Sequence, residues 1–265
     1  MKDSCISLLT DFGLCDEYVG VMKGVISSIN PNANIIDMCH NISPQNIVQA
    51  AYMLCFSHSY FPKKTIHVVV VDPGVGTDRR IVALQIKNFF FLAPDNGVLT
   101  LIINKYKCKS VYLTQSQFYL SKVSSTFHGR DIFAPVAAYL SKDYNIHQLG
   151  ETISTHELKR ISDIYPVKYK DRLKGQVIMI DHFGNLITNI SYTDIHHDTN
   201  RTVTINIINV SIENISSNYT QVKKGALLAI IGSKGLLEIS INCGNAKLEL
   251  GVDIGCIVQV VQTKI

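Results

Sequence analysis

Two short segments place a carboxylate where an apolar run ends. Thr10-Asp11-Phe12-Gly13 closes the run 6–10, and Asp72-Pro73-Gly74-Val75-Gly76-Thr77-Asp78-Arg79-Arg80 closes the β-branched run 65–71. In open α/β sheets ligands bind beyond the carboxyl ends of the strands. A carboxylate there can accept two hydrogen bonds from a sugar cis-diol; the plainer reading of Asp11 is a helix cap or turn residue. The second segment is not a dinucleotide fingerprint, because the third glycine would fall at Arg79. What remains is an acid with two arginines one short loop away, the alternative being a structural ion pair. Ser124-Ser125-Thr126-Phe127-His128-Gly129-Arg130-Asp131 sets a histidine beside a glycine at a helix start, a placement suited to acid–base work. Asp181-His182-Phe183-Gly184-Asn185-Leu186 offers an aromatic face and an amide that together would hold an adenine, or else a hairpin turn with a packed ring. Asp95-Asn96-Gly97 is a strong turn signal.

Other chemistries are poorly supported. There is no His-x-x-x-His and no cysteine cluster, and the adjacent His196 and His197 would point apart in a regular element, so no metal is expected. A serine hydrolase would need a Gly-x-Ser-x-Gly elbow, which is missing. The net charge of +4 is spread without an Arg/Lys run, which argues against a nucleic-acid partner. The longest apolar runs, such as 68–71 and 226–231, are far too short to span a bilayer. The acid in Met1-Lys2-Asp3-Ser4-Cys5 argues against a signal peptide. Seven cysteines with no Cys-x-x-Cys read as reduced thiols, so a cytoplasmic location is expected.

The elements that must carry these residues follow from periodicity. Strands are expected at 6–10, 34–38 and 65–71, and helices at 17–29 and 46–56, an alternation that predicts a parallel-rich sheet with helices on both sides. Strands at 81–86 and 89–93 form a hairpin over Lys87-Asn88, followed by a helix at 98–103, a strand at 110–113 and a helix at 132–140 that begins just after Asp131. The polar stretch 154–172 has no long period and holds the expected domain boundary. After it come short strands at 176–180, 186–190, 202–208, 227–231, 236–241 and 257–261. The fold class is therefore an α/β N-terminal domain, residues 1–165, and a smaller all-β, barrel-like C-terminal domain, residues 166–265.

Taken as a set, Leu8-Leu9-Thr10-Asp11-Phe12-Gly13, Tyr18-Val19-Gly20, Met22-Lys23-Gly24, Val70 to Thr77, Pro94-Asp95-Asn96-Gly97, Phe127 to Asp131 and Phe183-Gly184-Asn185 resemble the S-adenosyl-L-methionine hydrolases. These are also called SAM hydroxide adenosyltransferases and are relatives of the fluorinase and chlorinase. The resemblance implies that water attacks ribose C5′ and displaces methionine, giving adenosine and L-methionine with no cofactor. It places the family's catalytic Asp-Arg-His set on Asp72, Arg79 and His128, and its ribose carboxylate on Asp11. Its adenine motif falls on Phe183 and Asn185, with Asn245 and Ala246 as a looser match. Ser233 resembles a residue near the methionine carboxylate, and Asp16 one near its amine. The family also implies a homotrimer, with substrate held between the N-terminal domain of one subunit and the C-terminal domain of its neighbour.

The residue types suit that reaction. The sulfonium leaves as a neutral thioether, so no general acid is required. In-line positioning of a water contributes on the order of 7–11 kcal/mol, and a base adds about 10²–10⁴-fold. Asp72 and His128 are both candidate acceptors, and Arg79 would orient Asp72. A halogenase of the same superfamily is the runner-up. The Asp72 carboxylate argues against it, because it would repel a halide in a desolvated pocket and the halogenating relatives carry neutral residues at the positions of Asp72 and His128. A non-catalytic adenosine-binding module would not need the Asp-Arg-His set.

Overall fold

Residues 5–106, 108, 111–195 and 201–264 are described by the computed structural model, in which the chain divides into two units, Met1–Ile161 and Ser162–Ile265. The first unit runs through β1 (Cys5–Thr10), α1 (Tyr18–Ile29), β2 (Asn34–Cys39), α2 (Ile47–Ser57), β3 (Ile66–Val70), β4 (Ile81–Ile86), β5 (Phe89–Pro94), α3 (Thr100–Lys105), β6 (Val111–Leu113), α4 (Ala134–Ser141) and β7 (Thr152–Ile153). Its sheet has the order β2-β1-β3-β5-β4-β6-β7. The first four of these strands are parallel to one another and the rest antiparallel. Ser110, part of the strand expected at 110–113, lies outside the described residues.

β1 and β3 are buried throughout, as a strand covered on both faces must be. Side chains alternate between faces. Ile6, Leu8, Ile66, Val68 and Val70 join Met22 and Ile26 of α1 and the apolar residues of α4 in one core. On the opposite face Ser7 bonds His67 at 2.7 Å, and the His67 ring packs against His58 at the end of α2. Asn46 caps α2 by accepting from Gln49 N at 2.9 Å.

Two elements depart from expectation. The helix expected at 132–140 starts earlier, as a π-helical turn Gly129–Phe133 that leads straight into α4. Pro135 has no N–H to return to the Asp131 carbonyl, which is bonded instead by Leu120 N at 2.9 Å. The helix expected at 98–103 forms as α3, two residues later. Gly97 and Asn96 hold the turn before it, through Thr100 N to Gly97 O at 2.9 Å and Val98 N to Asn96 Oδ1 at 3.1 Å.

The second unit contains β8 (Val167–Lys168), β9 (Arg172–Ile180), β10 (Leu186–Ser191), β11 (Arg201–Ile207), β12 (Val210–Glu213), β13 (Leu227–Ile231), β14 (Leu236–Ile241), α5 (Ala246–Leu250) and β15 (Ile257–Lys264). Strands β12-β11-β15-β9-β10-β14-β13 form one antiparallel sheet, and β8 adds to β9. The edge strands β12 and β13 lie against each other, and Ser216 bridges Ile230, so the sheet nearly closes into a barrel. Its interior is filled by Val177, Leu186, Ile205, Leu237, Ile239, Val258 and Val260 among others. β12 and α5 are too short to announce themselves by period. No helix among the described residues is long and apolar enough to cross a membrane.

Candidate active site

β1 and β3 are neighbours with Thr10 opposite Val70, so the residues that follow them leave the sheet side by side. This brings Asp11 and Asp72 to the rim of one cavity of about 380 Å³, which Phe12, Tyr18, Val75 and His128 also line. Its volume falls in the usual range for a small-molecule site. The two arginines after Asp72 divide their work. Arg80 bonds Asp95 Oδ2 through Nε at 2.9 Å and Nη2 at 2.5 Å, while Asn96 Nδ2 donates to Val71 O at 2.8 Å. The Asp95-Asn96 turn thus braces the strand end from which Asp72 projects.

Arg79 turns the other way. Its Nε donates to Asp72 Oδ2 at 2.7 Å, its Nη2 also meets Asp72 Oδ2, and Nη2 lies 2.7 Å from His128 Nδ1. The side chains of Asp72 and Arg79 are only 4% and 5% exposed, which makes this a buried ion pair. Asp72 Oδ1 is buried and has no hydrogen-bond partner among the described residues, an arrangement that costs free energy unless a ligand uses the lone pairs. Burial, and then the Arg79 charge, hold the His128 imidazolium below the ordinary histidine pKa; Asp72 and Asp131 oppose this.

Close backbone approach completes the arrangement. Gly76 has φ +79°, and a Cβ there would collide with the Ser125 carbonyl, so only glycine lets the turn after Asp72 lie against the segment leading to His128. That segment is held from below by Asp131, which is fully buried. It accepts from Ser124 N at 2.8 Å and from Arg130 Nε at 2.6 Å. Burial disfavours the Asp131 carboxylate, but the Arg130 and Ser124 bonds outweigh it and hold its pKa below the usual range.

Asp11 Oδ2 accepts from Gln45 N at 2.7 Å, which leaves Oδ1 for a ligand. Pro44, Gln45, Thr126 and Phe127 also line the cavity, beyond the site residues expected from sequence. Thr126 and Phe127 adjoin His128 and were within reach of that reading. Pro44 and Gln45 belong to the turn before α2 and carry no signal of their own. Asp16 is exposed in the turn before α1 and is not among the cavity-lining residues.

In the second unit Asp181 organises the loop between β9 and β10. Its Oδ1 accepts from Phe183 N and Asn185 N, both at 2.9 Å, and its Oδ2 from Asn185 Nδ2 at 2.8 Å. The Phe183 ring meets His182 edge-on at 5.7 Å and is otherwise left 71% exposed, free to stack on a ligand or partner. Asn245 packs on Gly184 and caps α5 by accepting from Leu248 N at 2.9 Å. Ala246 is buried beneath it, and Lys247 N donates to Gly184 O at 3.0 Å. Phe183, Asn185, Asn245 and Ala246 therefore form one cluster. Ser233 stands exposed in the turn between β13 and β14. Among the described residues no group of three or more His, Cys, Asp or Glu side chains could hold a metal ion; His196 and His197 lie outside those residues.

Comparison with known proteins matches residues 6–150 to the SAM hydroxide adenosyltransferase N-terminal domain and residues 175–259 to the SAM hydroxide adenosyltransferase C-terminal domain. The chain is 37% identical to an (R)-S-adenosyl-L-methionine hydrolase of Methanocaldococcus jannaschii, over 94% of this chain and 92% of that one. It is 33% identical to an (R)-S-adenosyl-L-methionine hydrolase of Thermus thermophilus, over 94% and 96%. A crystal structure from Thermotoga maritima superposes with a TM-score of 0.88 at 35% identity, covering 97% of this chain and 99% of that one.

Proposed function

We propose, from the premise that this chain belongs to the SAM hydroxide adenosyltransferase family, that it hydrolyses S-adenosyl-L-methionine to adenosine and L-methionine. The observation that carries the reading is the Arg79 guanidinium joined to both Asp72 and His128, with Asp72 Oδ1 left as a buried acceptor at the cavity.

The proton roles follow from the donors. A guanidinium only donates hydrogen bonds, so the 2.7 Å contact makes His128 Nδ1 the acceptor. Neutral His128 then carries its proton on Nε2 and has no free lone pair with which to act as a base. Its Nε2–H donates to the nucleophilic water, and Asp72 Oδ1 accepts that water's proton. The O–C5′ bond forms as the C5′–S bond breaks, and the bonding pair goes to sulfur, which leaves as a neutral thioether. The second oxygen of Asp72 is occupied by Arg79, so the acceptor is held in one orientation, which is the pre-organisation such a step needs. A halide in place of water would face the Asp72 charge, and this disfavours the halogenase reading.

Asp11 binds the ribose hydroxyls in this account, and Asp16 and Ser233 the amine and carboxylate of the methionine. Phe183 stacks on the adenine and Asn185 bonds its edge, supported by Asn245 and Ala246. The active form is a homotrimer in which the second unit of a neighbouring subunit supplies these adenine contacts; the exposed Phe183 ring supports that reading. No cysteine among the described residues forms a disulfide, which supports a reducing, cytoplasmic setting. Incubation with S-adenosyl-L-methionine in halide-free buffer tests the reaction: adenosine and methionine should form in equal amounts. Asp72→Asn should lower turnover by about 10²–10⁴-fold while adenosine still binds; product formed only with added chloride would overturn the hydrolase reading.

A further inference from the structure

We infer that the loop joining β2 to α2 is a positioning device for Asp11, acting through the His40 side chain and the Gln45 backbone. The inference rests on the reading of Asp11 as the ribose-binding carboxylate.

The turn that carries Asp11 is held at four points by that loop or by the strand end beneath it. Gln45 N donates to Asp11 Oδ2 at 2.7 Å, and Gly13 N donates to His40 O at 2.7 Å. Phe12 N donates to Thr10 Oγ1 at 3.3 Å, and Thr10 Oγ1 lies 2.8 Å from His40 Nδ1. Thr10 is fully buried and His40 only 4% exposed, so this pair lies beneath the turn and out of solvent.

The proton inventory turns on the Thr10–His40 pair. Thr10 Oγ1 receives Phe12 N and lies against His40 Nδ1, while His40 Nε2 lies 3.0 Å from Asp37 Oδ1 in an ion-pair contact that lacks hydrogen-bond alignment. With the ring hydrogen on Nε2, facing the carboxylate, Nδ1 accepts from the Thr10 hydroxyl. Asp37 is fixed in turn by Lys23 Nζ at 2.6 Å on α1. A chain of polar contacts thus runs from the outer face of α1 to the backbone of the residue after Asp11.

The Gln45 end is held differently. Gln45 has φ +64°, a left-handed conformation that a residue with a Cβ adopts at a cost. Two neighbouring bonds hold it there: Asn46 N to Ser43 O at 2.9 Å and Ile47 N to Gln45 O at 3.0 Å. This conformation accompanies the N–H pointing at Asp11 Oδ2. The carboxylate is left with Oδ1 for the ligand, and its rotation is restricted. His40 and Gln45 therefore set affinity for the ribose, not the rate of displacement at C5′. They are positioning residues, since neither is needed at the reacting atoms.

The test is a double-mutant cycle on the full-length chain, with adenosine binding read by calorimetry and turnover of S-adenosyl-L-methionine read at saturation. His40→Ala should weaken adenosine about tenfold, the loss of one charge-linked hydrogen bond, and leave saturated turnover within about twofold. His40→Asn, which keeps an acceptor near the place of Nδ1, should bind within about threefold of wild type, so a folding defect in the alanine variant would be recognised. In an Asp11→Ala background His40→Ala should change affinity by less than about twofold, because its effect passes through Asp11. Equal losses in both backgrounds, or a fall in saturated turnover with affinity intact, would overturn the inference. Adenosine binding untouched by Asp11→Ala would instead overturn the ribose reading beneath it.

Discussion

Arg79 Nη2 lies 2.7 Å from His128 Nδ1, and this contact decides which nitrogen of the histidine bears a proton. A base and a donor placed side by side look alike in sequence. In the proposed mechanism the guanidinium makes His128 a donor toward the cavity and leaves proton acceptance to Asp72. Replacing His128 should therefore be graded by what the new side chain can donate. His128→Gln keeps an N–H near the place of Nε2 and should lose about tenfold in kcat/KM, whereas His128→Ala should lose about 10²–10³-fold, as when one preorganised donor is removed. Equal losses for the two variants would return His128 to the role of base.

The same contact sets a pH dependence. Burial and the Arg79 charge hold the His128 pKa below its ordinary value, so the neutral ring persists to pH values more acidic than a free histidine would allow. Protonation adds an N–H at Nδ1 that points at the Arg79 guanidinium and breaks their bond. Activity should accordingly be flat through the ordinary histidine range and fall only at lower pH, and His128→Gln should lose that part of the acid limb. A kcat/KM profile for the two proteins checks it. A limb that falls as pH rises through the histidine range would contradict the assignment.

Arg79→Lys tests the fork itself. A single ammonium cannot reproduce planar donors aimed at Asp72 Oδ2 and His128 Nδ1 together, so turnover should drop by at least about tenfold although charge is kept. Arg79→Ala leaves a buried carboxylate unpaired and should also destabilise the fold, by about 3–5 kcal/mol, read as a lowered denaturation midpoint. A variant with unchanged turnover would remove Arg79 from the site.

Gly76→Ala acts through the backbone. The added methyl would collide with the Ser125 carbonyl, and φ is +79°, so the 72–79 turn and the segment before His128 must separate. A stability loss of at least about 1 kcal/mol is expected, together with a fall in kcat larger than any change in adenosine affinity. A neutral substitution would show that the two segments need not touch.

How legible the molecule was varied with the physics. Asp11 and Asp72 stood out because strands buried on both faces are continuous apolar runs, and a carboxylate at the end of such a run is conspicuous. The pairing of Arg79 with Asp72, and of Arg80 with Asp95, was not legible, since adjacent residues of one type give no sign of which way each turns. His128 is marked in the sequence by its polar company, but the π-helical turn that carries it is not, because it arises from Pro135 and a tertiary bond to Leu120. Pro44 and Gln45 reach the cavity from a different connection, and His40 reaches the Asp11 turn from the end of β2; such placement is set by sheet order and leaves no periodic mark. β12 and α5 in the second unit are short enough that neighbours, not period, define them.

The most direct test of the central claim is hydrolysis of S-adenosyl-L-methionine in ¹⁸O-labelled water without halide. If Asp72 activates water for attack at C5′, the adenosine should carry one ¹⁸O at its 5′ hydroxyl and the methionine should carry none. Label in the amino-acid product, unlabelled adenosine, or product that appears only when chloride is supplied would contradict it.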